Sequence, residues 1–255
     1  MWLTRVQDFA VFVRETGYDA TGGVYSLTAQ GWVQNGDSWR DPGFPQEATH
    51  PAGALSWNDA KAFCEWLTLK ERRAGWLNDG QRYRLPTDDE WNVAVGLLNQ
   101  TSPGTGKIAS IYPWGNQWPP PAGAGNYAGK EARDGHWPAA WPTIEGYNDG
   151  YARTSPVGSF APNQFGLYDM GGNVWQWCED LYEPGKVVRV VRGASFRVDV
   201  HDLMRASRRG DGMPDSRYVH RGFRCVLAGK SVPIPASAHK RNNREQGYST
   251  AAQVF

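Results

Sequence analysis

The stretch Asn163 to Asp180, NQFGLYDMGGNVWQWCED, limits the fold more than any other part of the chain. It holds two glycine turns, an acidic residue, an amide and two tryptophans in eighteen positions. Gly171-Gly172 permits positive backbone φ and a sharp reversal. Val174, Trp175 and Trp177 then read as the start of a strand carrying large buried rings. Asp169, Asn173 and Gln176 put side-chain oxygens around the reversal, close to its backbone carbonyls. Oxygens converging on a tight loop suit a hard cation such as Ca²⁺. A plain turn whose polar groups satisfy the backbone uses the same residues, so both readings stand.

Composition extends this picture. With 13 Trp, 30 Gly and 17 Pro among 255 residues, the expected fold is loop-rich and held by aromatic anchors. The length allows one large domain or two small ones and a sizeable core. A net charge of +1 gives no footprint for nucleic acid. No apolar run approaches the roughly 20 residues needed to span a bilayer, so no membrane partner is expected. Asp8 and Arg14 interrupt any leader-like apolar segment, which points by default to the cytoplasm and leaves export through upstream sequence open. The three cysteines, Cys64, Cys178 and Cys225, are too few and scattered for a zinc framework.

Taken in order, Thr4-x-x-Gln7 predicts a capped helix with Val6, Phe9, Phe12 and Val13 on one face and Gly17 as its stop. Short strands are expected near 24–27 and 31–34, with Trp32, Trp39 and Phe44 pinning a loop; sugar binding is the other use of such rings. Ser56-x-x-Asp59 caps a second helix whose inner face holds Ala60, Phe63, Cys64 and Leu67. Tyr83 to Leu85 is a short strand, and Thr87-x-x-Glu90 caps a third helix with Trp91, Val95 and Leu98 inward. Residues 99–160 read as loop, 186–191 as a β-branched strand, 197–221 as irregular, and 222–227 as the closing strand. The polar, Pro-containing segment 228–255 reads as a disordered tail.

GLYDMGGNVWQWCED resembles the core motif of the formylglycine-generating enzyme (sulfatase-modifying factor) superfamily. HPAGALSWNDAKAFCEWL at 50–67, RYRLPTDDEWNVA at 82–94, VVRGASF at 190–196 and RGFRC at 221–225 are similar to further blocks of that family, in its order. The resemblance implies an α+β class and one domain over residues 1–227. Its fold would be a compact variant of the C-type lectin fold, with short helices around small antiparallel sheets. Family members usually carry a β-hairpin ahead of the first helix, so a shortened member or a piece of a longer chain is expected. The family includes oxidases, ergothioneine- and pyoverdine-pathway proteins, kinase-fused domains and binding proteins. Membership therefore implies a fold more strongly than a reaction.

The resemblance also implies sites. In calcium-binding relatives the first site matches Asn126, Tyr127, Asp149 and Tyr151, the aromatic residues acting through their carbonyls. The second matches Asp169, Gly172, Val174 and Gln176; those relatives carry Glu at position 176, so this site loses one charge. Structural Ca²⁺ is thus the expected cofactor. The family's oxidases bind Cu(I) through two cysteines just after the RGGS-like turn. Here FRVDVHDLMR, 196–205, has none; the matching positions are Val198 and, across a deletion, His201 to Leu203. Copper is not expected. Some relatives join the positions of Cys64 and Cys225 by a disulfide; two reduced thiols are the alternative.

A ligand groove is expected from Trp175, Ser195, Arg197, Asp199, His201, Arg205, Tyr218 and His220. Trp175 and Ser195 match substrate-groove positions of relatives, and the Arg, Tyr and His content suits planar or acidic ligands. Surface ion pairing of those arginines is the plainer reading for about half of them. The expected role is a calcium-stabilised domain that binds a peptide, protein or small molecule, as a monomer or within a fused chain. The alternative is an oxidoreductase whose metal is held by His201, His220 and Asp199 or Asp202, with iron as the metal. A structural domain fused to a kinase is the third.

Overall fold

The computed structural model describes residues 1–28, 30–34, 37–97, 110–135, 137–139 and 141–229. Helix α1 spans Val6–Thr16 and ends on Gly17 at φ 69°, the left-handed stop that glycine adopts without strain. Its cap differs from the expected Thr4 box by one residue. Asp8 accepts from the Arg5 backbone N–H at 3.1 Å and from the Arg5 guanidinium. Thr4 is instead paired across the chain, its N–H to Phe223 O (3.0 Å) and its carbonyl to Ala52 N (2.8 Å). Tertiary pairing has taken the residue that local sequence nominated.

Strands β1 (Val24–Thr28) and β2 (Gly31–Gln34) form a hairpin. Helix α2, Trp57–Arg73, begins with the Ser56/Asp59 box: Asp59 N donates to Ser56 Oγ and Ser56 N to Asp59 Oδ2. Strand β3 is Arg82–Arg84; α3, Asp88–Val95, is capped by Thr87 and Glu90 as expected. Trp91 and Val95 face inward, joined by Leu97; Leu98 lies outside the described residues. A 3₁₀ turn at Lys130–Gly135 interrupts the loop-rich middle.

The central stretch delivers β4, Trp175–Leu181, which pairs with β5, Arg189–Arg192. Residues 197–221 are more regular than expected. They form the short helix α4 (His201–Met204) and strands β6 (Arg209–Gly212) and β7 (Arg217–Tyr218). The closing strand is two: β8, Arg221–Gly222, and β9, Val226–Ala228. Ala228 thus belongs to β9, and 230–255, the expected tail, lies outside the described residues.

Three small sheets result, ordered β2-β1-β7, β3-β9 and β6-β5-β4-β8. The pairings β1–β7 and β4–β8 are parallel rather than antiparallel. Both are two-residue ladders made by one segment, 217–222, which stitches two sheets. Between the sheets sits the aromatic core. Phe9 meets Phe12 (5.2 Å), Trp39 (5.0 Å) and Phe63 (5.9 Å), and Phe63 meets Phe223 at 5.4 Å between centroids. Each such ring contributes about 1.5–3 kcal/mol by burial. Trp177, wholly buried, donates its indole N–H to Leu55 O at 2.9 Å and ties β4 to the start of α2. Among the described residues no helix is long and apolar enough to cross a membrane.

Candidate functional site

The central reversal is tighter than its glycines alone imply. Gly172 takes φ 83°, but Gly171 does not; Asp169 (52°) and Asn173 (61°) do. Left-handed non-glycine residues cost roughly 1–3 kcal/mol and persist where surroundings hold them. Asn173 is held by Ser155: its Oδ1 accepts from Ser155 N at 3.1 Å, and its Nδ2 donates to Ser155 O and Oγ. Gly172 is required by close approach, since a Cβ there would lie 2.5 Å from Asn126 O. Asn173 N donates to that same carbonyl at 2.9 Å. The reversal and the 125–151 loop are therefore one packed unit.

In that unit the residues expected at the first cation site are neighbours. Asp149 accepts from Tyr127 N (2.8 Å) and Tyr151 N (2.9 Å), which bridges the two clusters. Asn126 is 1% exposed; its Nδ2 donates to Arg153 O at 2.7 Å, while its Oδ1 has no partner. Glu131, which the sequence reading missed, turns in from the 3₁₀ turn; its Oε1 accepts from Gly129 N and its Oε2 has no partner. Burial, with the Glu131 carboxyl alongside, pushes Asp149 up to about 7. Burial raises Glu131 as well. One buried and one half-buried carboxyl with an orphaned amide oxygen form an oxygen-rich set of the kind that suits Ca²⁺. Nothing local marks Glu131, which reads as one charge in the polar run KEARDG.

The second expected site is arranged differently. Gln176 Oε1 accepts from Arg224 Nε at 2.7 Å and Trp91 Nε1 at 3.3 Å, and its Nε2 donates to Asp169 O at 2.9 Å. The Arg224 guanidinium also donates to Tyr168 O, Asp169 O and Met1 O. Asp169, raised by burial, accepts from Gly158 N at 2.9 Å. Gly172 and Val174, the carbonyl candidates, are buried. A cation is already present here as Arg224, and the Gln176 oxygen is committed to protein donors. In this arrangement the set does not fit Ca²⁺.

The groove candidates separate into two groups. Arg197, Tyr218 and His220 meet around Trp32. Arg197 lies over Trp32 (5.0 Å) and Trp141 (4.4 Å), and Trp32 contacts Tyr218 (5.2 Å) and His220 (4.8 Å). Asp199 is half-buried and raised by that burial, with Arg197 opposing the shift. His201 and Arg205 stand apart, both on Asp202 Oδ1 (2.6 and 2.5 Å), with His201 edge-on to Trp118. Ser195 is wholly buried and Trp175 is 8% exposed, so both lie beneath the surface. Among the described residues no three His, Cys, Asp or Glu side chains gather as a metal cluster. Trp32 and Trp141 are the ring partners that spacing did not assign to this group. A cavity of about 100 Å³ lies nearby, lined by Leu27, Phe44, Phe196 and Val219 among others. It is well below the several hundred Å³ of an ordinary ligand pocket.

Cys64 and Cys225 approach to 3.4 Å between sulfurs, as thiols. The hydrogen bond with Cys225, followed by burial, raises the Cys64 thiol well above its usual range. Cys178 is wholly buried and raised by desolvation. At the positions matching the family's copper ligands, Val198 is a buried aliphatic residue and 201–203 carry no sulfur. The residues present do not fit Cu(I).

Comparison with known proteins agrees with this fold. A family model for the sulfatase-modifying factor enzyme 1-like domain matches residues 3–228. The inactive C-alpha-formylglycine-generating enzyme 2 of Mus musculus is 34% identical over 202 residues, covering 74% of this chain and 54% of its own length. The chain thus spans about half of that relative. The formylglycine-generating enzyme of Thermomonospora curvata is 31% identical over 268 residues, 86% of this chain and 78% of its own. The structure of PvdO from Pseudomonas aeruginosa superposes with a TM-score of 0.57 at 22% identity, over 90% of this chain and 78% of the other. With its α+β architecture and ordered motif blocks, the chain belongs to the sulfatase-modifying factor (formylglycine-generating enzyme-like) family.

Proposed function

We propose that this chain is a calcium-stabilised ligand- or peptide-binding member of the family, without cysteine–copper oxidase chemistry. One observation carries the reading: Val198 and 201–203 stand where copper-ligating cysteines would, and the chain's three cysteines lie elsewhere, two of them facing each other. Thiolates are what Cu(I) requires of this fold. The mouse relative that bears the word inactive in its name supports the same direction. Calcium belongs to the reading because Asn126, Glu131 and Asp149 form an oxygen-rich, donor-poor centre. There Ca²⁺ would supply the positive charge that neutralises Asp149 and Glu131 and would hold the 125–151 loop against the central reversal.

The oxidoreductase alternative has less support. His201 is exposed and paired with Asp202, whereas His220 is buried under Trp32. The test has two readouts. A sulfatase-type cysteine peptide incubated with the protein, Cu(I) and O₂ should keep its mass. Separately, millimolar Ca²⁺ should raise the melting temperature. Conversion of the cysteine to the formylglycine aldehyde would overturn the reading, and absence of a calcium effect would remove calcium from it.

A further inference from the structure

Among the described residues most buried and half-buried arginines are matched with acceptors; Arg197 and Arg208 are not, and only Arg197 of these two lies over aromatic rings. Arg192 has Asp88, Asn92 Oδ1 and Ala206 O. Arg217 is chelated by both oxygens of Asp59 at 2.7 Å. Arg224 has four acceptors, and Arg221 has Ser216 Oγ and Asp211 O. Arg197 forms no ion pair with any described carboxylate, and its buried Nε has no hydrogen-bond partner. What it has is two indoles, Trp32 at 5.0 Å and Trp141 at 4.4 Å. Stacking occupies the faces of a guanidinium and leaves its N–H donors along the rim, the direction in which it binds a planar anion through two parallel hydrogen bonds.

The surroundings narrow the anion. His220, behind Trp32, is buried with its Nδ1 unpartnered. Arg197, Arg221 and burial all hold its ring uncharged. Asp199 contributes a negative field beside Arg197, which disfavours a doubly charged phosphate more than a singly charged carboxylate. Trp32 and Tyr218, in edge contact at 5.2 Å and both half-exposed, offer apolar surface to whatever carries the anion. Tyr218 is further fixed by stacking on Tyr25 at 4.8 Å and by Arg221 at 4.4 Å, so the wall is preorganised.

We infer that Arg197, lying over the rings of Trp32 and Trp141, is the anchor for a carboxylate attached to an aromatic or apolar group, with Tyr218 and His220 forming the adjoining wall. The inference rests on the binding-domain reading above and gives it a ligand class. A free organic acid and the carboxylate of a peptide share this chemistry.

The experiment uses the full chain labelled with 5-fluorotryptophan, with the Trp32 and Trp141 signals assigned from Trp32→Phe and Trp141→Phe. The probes are benzoate, benzamide, inorganic phosphate, and a short phenylalanine-ended peptide with a free or an amidated C-terminus. Benzoate, the free-acid peptide or both should shift the two signals saturably, while benzamide and the amidated peptide leave them unmoved. Benzoate alone would identify a free acid; the free-acid peptide would identify a peptide carboxylate. Arg197→Gln should weaken binding at least tenfold, and Arg197→Lys should weaken it less. Failure of every carboxylate to saturate, equal binding of benzamide, preference for phosphate, or full affinity in Arg197→Gln would each overturn the inference. Thermal melting is read on the same samples: a cooperative transition shows that each variant is folded, and its rise with calcium reports separately on the calcium part of the binding-domain reading.

Discussion

The 125–151 loop and the 169–176 reversal are packed against each other, yet they balance charge in opposite ways. In the loop, oxygen is in excess: Asn126 Oδ1 and Glu131 Oε2 meet no donor, and Asp149 is pushed up to about 7. In the reversal every oxygen of the expected set that faces Arg224 is used, because that side chain donates to Gln176, Asp169, Tyr168 and Met1. The difference teaches how a family scaffold keeps a cation. On the calcium reading proposed above, one region would recruit its positive charge from solution, whereas the other carries it covalently, at the cost of burying an arginine whose pKa is drawn down to about 10.

The most severe test of that contrast is Arg224→Met. It should lower stability by about 4 kcal/mol, since each buried acceptor left without a donor costs about 1–3 kcal/mol. Urea unfolding measures this, and a loss below about 1 kcal/mol would break the contrast. Next comes Asp149→Asn. Wild type in calcium at 100 times its dissociation constant should gain about 2.7 kcal/mol. The variant should lose that increment and, without calcium, about 1 kcal/mol besides, because one oxygen that accepts a backbone N–H becomes an amide nitrogen.

Acidity sharpens the same point. The folded chain holds the Asp149 proton more tightly than the unfolded chain, whose value is near 3.8. Calcium-free stability is therefore fullest below that value and declines as pH rises through about 7. Calcium competes with that proton, so its affinity should be about fivefold weaker at pH 6 than at pH 7 by titration calorimetry. A flat profile would remove Asp149 from the site. The smallest effect is expected from Gln176→Glu, which restores the charge of calcium-binding relatives. It should leave the calcium stoichiometry at one, because Arg224 pairs with the new carboxylate. A second calcium equivalent would break the contrast.

Much of the architecture was legible because it is written locally. Ser56/Asp59 and Thr87/Glu90 nominate helix starts and make them, and Gly17 nominates a stop and makes it. The resemblance nominated Asn126 and Asp149 in one stretch and Asp169 and Gln176 in another, and the fold brings the two stretches into contact where Gly172 meets Asn126. What escaped is non-local. Thr4 lost its cap to a pairing with Phe223, more than two hundred residues away in sequence. Residues 197–221 carry no period, yet they form strands because β1, β4 and β5 present open edges to them. Glu131 and Trp141 sit in stretches with no pattern, and only the folded loop reveals their partners. Gln176 was read as a weakened ligand; Arg224, which occupies its oxygen, is forty-eight positions away.

The stitching of two sheets by residues 217–222 has a consequence for how the chain is made. β1 and β4 emerge from the ribosome long before β7 and β8, and α1 long before Phe223. Until that late segment appears, Phe9 and Phe63 lack one of their core partners, Phe223, and two sheets keep open edges. Contacts of such high sequence separation slow folding and prolong the exposure of aggregation-prone surface. The nascent chain should therefore depend on chaperones until residue 223 clears the exit tunnel, whatever the finished domain binds.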